Sequence, residues 1–483
     1  MRAIDARSAE LGVPTLELME NAGAAVAEQI MARFPKQPTA VLCGPGDNGG
    51  DGYVVARRLK RNGWPVWVET LGDPRALRRD AAEMAARWGG ESLRIAEDNP
   101  APELFVDALF GAGLTRPLEG EAARLARILS RTPERVVSID LPSGLQGDLG
   151  KPLGEACMRA GLTVTFVRKK PAHVLQPGRS YCGEIVVADI GAPREALAEQ
   201  DIRLWENGPE LWAERIPWPG IEAHKHARGH AMVVSGAAGH TGAARLAAMG
   251  ALRAGAGLVT VLSPKDALAE NAAHLTAIML REVGDADSLA VAARAAAAVV
   301  IGPAAGVTAQ TRANAAALAK TPAKLVLDAD ALTAFEDARQ DLFAFTREDH
   351  VLTPHVGEFK RIFPDVSIIE DGRVDAARKA AQRAGAVVLL KGPDTVIAAP
   401  DGRAAVNTTG TPFLATAGSG DVLAGVIAGF LAQGMTAFDA ACAGAWAHGR
   451  AGEIAHGPGL IAEDLPAALP AALDPLWRAA RLL

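Results

Sequence analysis

Thr416-Ala417-Gly418-Ser419-Gly420-Asp421 sets a run of small residues ahead of a carboxylate, and the apolar stretch Val422-Leu423-Ala424-Gly425 follows. That order predicts a turn entering the N-terminus of a buried helix. Free backbone N–H groups and the helix dipole at such a point favour a phosphate or a developing negative charge. Asp421 would then stand beside an anion site. A carboxylate there suits a base that takes the proton of a hydroxyl next to a transferring phosphoryl group. The same letters also describe an ordinary glycine turn with an N-terminal Asp. Lys391-Gly392-Pro393-Asp394-Thr395 places a cation, a glycine and a hydroxyl just after the apolar run 387–390. Charge and backbone donors would hold a nucleotide phosphate there; a strand-end lysine snorkelling to solvent is the plainer alternative. Asp328, Asp330, His355 and Glu358 close two further apolar runs at the same predicted edge. His355 has no second His at metal spacing, which argues against zinc and leaves a substrate contact or a local hydrogen bond.

The first half carries a different polar set. The apolar strand 40–43 runs into Gly44-Pro45-Gly46-Asp47-Asn48-Gly49-Gly50-Asp51-Gly52, and a helix is predicted over 54–61. Strand, glycine loop and helix make the layout of a nucleotide-binding α/β unit. Gly44, Gly46 and Gly49 match the dinucleotide fingerprint by spacing, with Glu69 about where a ribose-binding acid would sit. Asp47 and Asp51 would face a pyrophosphate in that loop, and the loop is long and polar, so a dehydrogenase is disfavoured. Asp107 lies in the strand 104–110 ahead of Gly111-Ala112-Gly113, and Asp140 ends the strand 136–140 ahead of Leu141-Pro142-Ser143-Gly144. Ligands bind at that edge of open α/β sheets. Asn48, Asp107, Asp140 and Ser143 would converge there with oxygen ligands, which suit a hard cation rather than zinc or copper. Alternatively, Asp and Ser simply cap the helices that follow. Arg168, Lys169 and Lys170 form a basic run before Pro171, read as a phosphate site or as a solvated face.

These groups need a scaffold that brings strand ends together. At 483 residues the chain exceeds a single core, so more than one domain is expected. Charged residues are 22% and hydrophobic residues 49%, an ordinary globular composition. The net charge of −6 gives no reason to expect nucleic acid or an anionic membrane as a partner. The four cysteines form no Cys-x-x-Cys pair, which disfavours disulfides and zinc and fits a reducing compartment. Arg2, Asp5, Arg7 and Glu10 argue against a signal peptide, and no apolar run reaches membrane-spanning length. A cytoplasmic protein is expected. Strands and helices alternate in both halves, predicting mostly parallel sheets covered on both faces. The Trp- and Pro-bearing segment 206–230 reads as a linker and entry loop, so the boundary is placed at 206/207.

The ordered motifs carry a resemblance. In the second half they are Arg228-Gly229-His230, Gly242-Ala243-Ala244, Gly302-Pro303, Leu327-Asp328-Ala329-Asp330-Ala331-Leu332, Thr353-Pro354-His355-Val356-Gly357-Glu358, Lys391-Gly392 and Gly418-Ser419-Gly420-Asp421. They resemble the ribokinase-like superfamily and, more closely, the ADP/ATP-dependent NAD(P)H-hydrate dehydratases. In the first half Glu20-Asn21-Ala22-Gly23, the glycine loop, Val106-Asp107-Ala108-Leu109-Phe110-Gly111-Ala112-Gly113, Ser138-Ile139-Asp140-Leu141-Pro142-Ser143-Gly144 and Val187-Ala188-Asp189-Ile190-Gly191 resemble the NAD(P)H-hydrate epimerases. Together, in this order, they are similar to the bifunctional nicotinamide-nucleotide repair family.

The resemblance implies an α/β fold in two parts. Residues 1–206 would be a Rossmann-like three-layer α/β/α epimerase domain, and residues 207–483 a ribokinase-like dehydratase domain. It implies K+ on Asn48, Asp107 and Ser143. The NADH or NADPH hydrate would contact Asp47-Asn48-Gly49-Gly50-Asp51, Gly111-Ala112-Gly113-Leu114-Thr115-Arg116-Pro117 and Asp140. Asp140 would be the acid/base that interconverts the R and S hydrates. In the second half Ala243, Gly306, His355 and Asp421 would contact the S hydrate. Lys391, Gly392, Pro393, Asp394, Thr395, Gly418, Ser419 and Gly420 would hold ADP or ATP with Mg2+. Asp421 would deprotonate the hydroxyl, which leaves as phosphate once phosphorylated. A homo-oligomer is implied as well. The sequence departs from the family pattern at Asp47, where Asn is usual, and at Gly302-Pro303-Ala304-Ala305-Gly306, where Gly-Pro-Gly is usual. Rival readings are a small-molecule kinase fused to a Rossmann-like domain, a non-catalytic first half, and an NAD-dependent oxidoreductase.

Overall fold

Short runs, most of them β-branched or aliphatic and many followed closely by Gly, Pro or Asp, build a sheet in each half. In the first half β1 (Thr39–Cys43), β2 (Val66–Thr70), β3 (Ser92–Arg94), β4 (Leu104–Ala108) and β5 (Val136–Ile139) come first. A small hairpin of β6 (Leu145–Gln146) and β7 (Lys151–Pro152) precedes β8 (Leu162–Phe166) and β9 (Glu184–Ala188). The seven-stranded sheet runs β3-β2-β1-β4-β5-β8-β9 and is parallel throughout. Every residue of β1, β5 and β8 is buried, as a parallel sheet covered on both faces requires. The chain winds outward from β1 in both directions, so a crevice opens beyond the carboxyl ends of β1 and β4.

This computed structural model describes residues 2–90, 92–95, 101–455 and 457–481. It divides into two units, Met1–Ile202 and Arg203–Leu483.

The second unit contains β10 (Leu204–Asn207), β11 (His230–Val234), β12 (Leu258–Ser263), β13 (Met279–Glu282) and β14 (Ala298–Ile301). It continues with β15 (Lys324–Leu327), β16 (Val351–Leu352), β17 (Val387–Leu390), β18 (Val396–Ala398) and β19 (Ala404–Asn407). The ten strands are ordered β10-β19-β18-β17-β16-β15-β14-β11-β12-β13. Only β18 runs against its neighbours. The helix Ser419–Ala432 is apolar on all sides and buried from Val422 onward, as the sequence predicts. It lies so close to the helix Gly242–Arg253 that a Cβ on Gly425 would stand 1.9 Å from the Ala247 carbonyl oxygen. The absent side chain is therefore what seats the Asp421 end of that helix.

Two sequence expectations are corrected. The helix after β1 spans Asp47–Arg61, so Asn48 to Gly52 form its first turns rather than a long loop. Their glycines serve close packing: a Cβ on Gly49 would meet the Gly44 carbonyl oxygen at 2.0 Å, and one on Gly52 the Ala108 Cβ at 2.6 Å. The boundary falls between Ile202 and Arg203 rather than at 206/207. Residues 204–207 are an edge strand of the second sheet, pairing with β19. The segment after it is not a free linker either. Trp212 is 1% exposed, and its indole N–H donates to Asn207 Oδ1 at 3.0 Å. No helix among the described residues is long and apolar enough to cross a membrane.

Candidate active sites

In the first unit the chain turns sharply after β5. Asp140 adopts φ +65°, a left-handed conformation rare outside glycine. Its Oδ1 faces Lys170 Nζ at 2.6 Å and accepts from Thr165 Oγ1 at 3.0 Å. Its Oδ2 accepts from the Ala112 amide at 3.1 Å. Lys170 also donates to Thr165 Oγ1 at 2.7 Å. His173 fixes the backbone behind the pair. Its Nδ1 accepts from the Lys170 amide at 2.8 Å, so the proton sits on Nε2, which donates to the Asp140 carbonyl at 2.9 Å. Burial pushes the His173 imidazolium down to about 4, so the ring is neutral. Burial pushes the Asp140 carboxyl up, but Lys170 and the Ala112 amide outweigh it and hold Asp140 below the usual carboxylate range.

Asp107 is fully buried one strand away. Its carboxylate accepts from Ser143 Oγ (2.6 Å), the Ser143 amide (2.8 Å) and Ser138 Oγ (3.0 Å). Ser143 Oγ in turn accepts from the Phe110 amide at 2.9 Å. Asp107 and Ser143 thus pin the turn leading to Gly111. A Cβ on Gly111 would lie 3.0 Å from Asn48 Oδ1 and 3.2 Å from Asp140 Oδ2, so Asn48, Gly111 and Asp140 meet in one place. Asn48 Nδ2 is buried and unpartnered. Burial, then the Asp140, Asp47 and Asp5 carboxylates, push the Asp51 carboxyl well above its ordinary value. Gly49 and Gly50 are buried, Asp47 is exposed, and Gly113, Thr115, Arg116 and Pro117 are exposed beside half-buried Leu114. The basic run is resolved by the fold: Lys170 is neither solvated nor free for a phosphate, because its ammonium is buried against Asp140. A charge run carries no signal of which member turns inward.

In the second unit Gly418, at φ +86°, makes the turn into the helix that begins at Ser419. His448 Nε2 lies 2.9 Å from the Ser419 carbonyl oxygen, which fixes its proton on that nitrogen, and 3.2 Å from Ser419 Oγ. Sequence reasoning missed this clamp. Asp421 follows in the first helical turn. Burial, then the Asp328 carboxylate, push its carboxyl up to about 6 despite Lys391 nearby. Lys391 Nζ pairs with Asp328 Oδ1 at 2.7 Å and stands 3.9 Å from Glu358 Oε2. A Cβ on Gly420 would be 3.5 Å from the same Nζ, so the small-residue turn and the lysine are neighbours.

The loop after β17 is held from behind by Arg373, which donates to the carbonyls of Leu390 (3.2 Å) and Lys391 (3.1 Å). Asp394 is 2% exposed and pairs with Arg373 at 2.9 Å. Its carboxylate therefore shapes this loop from within. Thr395 Oγ1 donates to the Gly392 carbonyl at 3.0 Å and closes the Gly392-Pro393 turn. His355 caps the helix Val356–Ile362, its Nδ1 accepting from the amides of Gly357 (2.8 Å) and Glu358 (3.2 Å). Its ring remains 54% exposed. The Gly306 amide donates to Asp330 Oδ2 at 2.8 Å, and Ala243 is half-buried at the head of the helix Gly242–Arg253. In the altered 302–306 segment Ala304 takes φ +53°.

The arrangement of the second unit puts an ionisable carboxylate, a lysine and helix N-terminal amides side by side, which suits deprotonation of a hydroxyl beside a phosphoryl group. Among the described residues no group of three His, Cys, Asp or Glu side chains offers a metal site. The first-unit set is oxygen-based, from an amide, a carboxylate and a hydroxyl, and such a donor set fits an alkali cation.

Fold and sites define a protein of two α/β units, one with a buried acid–lysine pair at its switch point and one with a kinase-like anion turn. Residues 231–470 match the NAD(P)H-hydrate dehydratase family, and residues 15–172 match the YjeF-related protein N-terminus family. The chain is 37% identical to the bifunctional NAD(P)H-hydrate repair enzyme Nnr of Moorella thermoacetica, over 93% of this chain and 89% of that one. The ADP/ATP-dependent NAD(P)H-hydrate dehydratase of Bacillus subtilis, crystallised with ATP and Mg2+, superposes with a TM-score of 0.51 at 27% identity. That match spans 57% of this chain and 99% of the other. A ribokinase-like superfamily protein of Enterococcus faecalis superposes with the same TM-score of 0.51 at 23% identity, over 57% and 98% of the two chains. The chain belongs to the family of bifunctional NAD(P)H-hydrate repair enzymes.

Proposed function

We propose that Met1–Ile202 epimerises the R and S forms of NADH and NADPH hydrate, and that Arg203–Leu483 dehydrates the S form at the expense of ADP or ATP. The observation that carries the dehydratase reading is the juxtaposition of Asp421, Lys391 and the Gly418-Ser419-Gly420 turn. Asp421 takes the proton of the added hydroxyl as that oxygen attacks the terminal phosphoryl group. Lys391 and the Gly392-Pro393 and Thr395 backbone hold the nucleotide phosphates. The amides at the helix start stabilise charge on the transferred group. Hydroxide leaves carbon poorly and phosphate leaves it well, so phosphorylation makes the elimination possible. Ala243, Gly306 and His355 line the hydrate side of the same edge. Mg2+ would enter with the nucleotide and supplies charge neutralisation of the phosphates when bound.

In the first unit the hydrate lies over Asn48, Gly111 and Asp140, with Asp47 and the 113–117 segment at the rim. Asp140 is the base. A K+ ion would be held by Asn48, Asp107 and Ser143; the fully hydrogen-bonded Asp107 acts chiefly by charge, and the ion offsets the surrounding carboxylates when bound. A homo-oligomer in the cytoplasm completes the reading and is checked by light scattering and localisation.

The test is recovery of NADH absorbance from mixed R and S hydrates with ADP or ATP, Mg2+ and K+. Full recovery is expected; a stable phosphorylated product in place of NADH would instead indicate a kinase. Lys391→Met is expected to raise KM for the nucleotide at least ~10-fold, with a smaller effect on KM for the hydrate, since a charge-assisted phosphate contact is lost. An unchanged nucleotide KM would remove Lys391 from that role.

A further inference from the structure

Moving a hydroxyl between faces of C6 needs an acid as well as a base, and Asp140 supplies only the base. We propose that Lys170 is the acid, and that Asp140 and Lys170 act as one couple that opens and recloses the hydrated ring; this rests on the epimerase reading above. In the hydrate, C6 carries both the hydroxyl and ring nitrogen N1, so the two groups are joined through a single carbon. The Asp140 Oδ1 and Lys170 Nζ atoms stand 2.6 Å apart, a pair spaced to engage both at once.

The steps balance without a co-reactant. Asp140 takes the hydroxyl proton, the C6–O bond becomes a carbonyl, and the C6–N1 bond breaks with its electron pair on N1. Lys170 protonates N1 as it leaves. The freed aldehyde turns about the C5–C6 bond. N1 then attacks the opposite face of the carbonyl, returns its proton to Lys170, and the new hydroxyl takes the proton from Asp140. Both side chains finish as they began.

Three features favour a chemical role over a structural ion pair. Side-chain exposures of 10% for Lys170 and 16% for Asp140 place the pair at the floor of a crevice rather than in a sealed core. Asp140 keeps a left-handed backbone at φ +65°, a cost that a purely structural carboxylate has no need to incur. His173 and Thr165 lock both partners, with His173 bonded to the backbone of each. Buried ion pairs bring little net stability over apolar replacements, so packing alone gives no reason for this one.

The test follows R-to-S conversion by chromatography on the full chain, with dehydration of purified S hydrate as the internal control. Lys170→Arg keeps the positive charge beside Asp140 but cannot give up its proton. It is expected to lose about 100-fold in epimerase kcat, the scale of one acid–base group. Lys170→Ala is expected to lose as much and to be rescued in part by added ethylammonium. Epimerisation in H2(18)O is expected to leave the original oxygen on C6, since the C6–O bond never breaks. Wild-type epimerase kcat in Lys170→Arg would overturn the proposal. So would obligatory uptake of solvent oxygen with each conversion, or folded Lys170→Ala that no amine rescues. A wild-type chain that does not interconvert the hydrates at all would instead defeat the epimerase reading itself.

Discussion

Asp421→Asn is expected to lower dehydratase kcat about 10³-fold, within the span of a lost general base, while leaving epimerisation intact and stabilising the second unit at alkaline pH. The amide keeps the shape of the side chain at the helix start but cannot accept a proton from the hydroxyl. The gain in stability follows from the raised carboxyl. Folding lifts Asp421 from 3.8 to about 6, so the folded state binds this proton more tightly than the unfolded state. Its contribution is favourable below the unfolded value, declines as pH rises between 3.8 and about 6, and above that the folded protein carries a buried charge. A shift of this size, discounted for partial solvent screening, is worth about 2 kcal/mol. Asn carries no such penalty. Unfolding midpoints at pH 8 should therefore favour the variant, and the difference should shrink at pH 4. The wild-type dehydratase rate should fall as pH drops through about 6, because the base becomes protonated. A variant that keeps a tenth of wild-type kcat would remove Asp421 from the role of base, and one less stable than wild type at pH 8 would contradict the raised carboxyl.

What could be read beforehand divides by range along the chain. The Asp421 turn is legible because its whole signal is local: small residues, an acid, then an apolar run. Alternation of strands and helices likewise announces the parallel sheets. The same local reading misjudges Gly49 and Gly52, because glycine scores as loop whether its freedom is used for a turn or for close packing, and here the Gly44 and Ala108 contacts decide. Residues 204–207 fail for a related reason: nothing near them shows that β19 waits to pair with them. Asp107 and Ser143 are each recognisable as strand-end residues, yet their 2.6 Å bond depends on two strands lying side by side. Lys170 is the least legible of these residues. Arg168, Lys169 and Lys170 are chemically alike in sequence, and only the backbone reversal after β8, held by His173, turns the last of them inward. Catalytic partners that meet through such reversals leave no spacing to detect.

Replacing Asp140 gives the second large effect, and the choice of residue separates chemistry from folding. Asp140→Asn is expected to reduce epimerase kcat about 10³-fold with the fold retained. Asn tolerates a left-handed backbone almost as well as Asp, so φ +65° is preserved, and its amide oxygen can still accept from Lys170, although its NH2 group replaces the oxygen that accepts from the Ala112 amide. What it lacks is the charge and the basicity. Asp140→Ala loses these too and adds two costs: a Cβ residue with no local hydrogen bond in the left-handed region, about 1 kcal/mol, and a buried lysine without its partner, about 3 kcal/mol. The Ala variant should therefore unfold earlier than the Asn variant, although both are equally inactive as epimerases. Pairing Asp140→Ala with Lys170→Met removes the orphaned charge and should recover stability without recovering activity. R-to-S conversion, thermal midpoints and dehydration of S hydrate, measured on the same preparations, resolve the two effects. Retention of epimerase activity in folded Asp140→Asn would show that the carboxylate is an anchor for the Gly111 turn and that the base lies elsewhere.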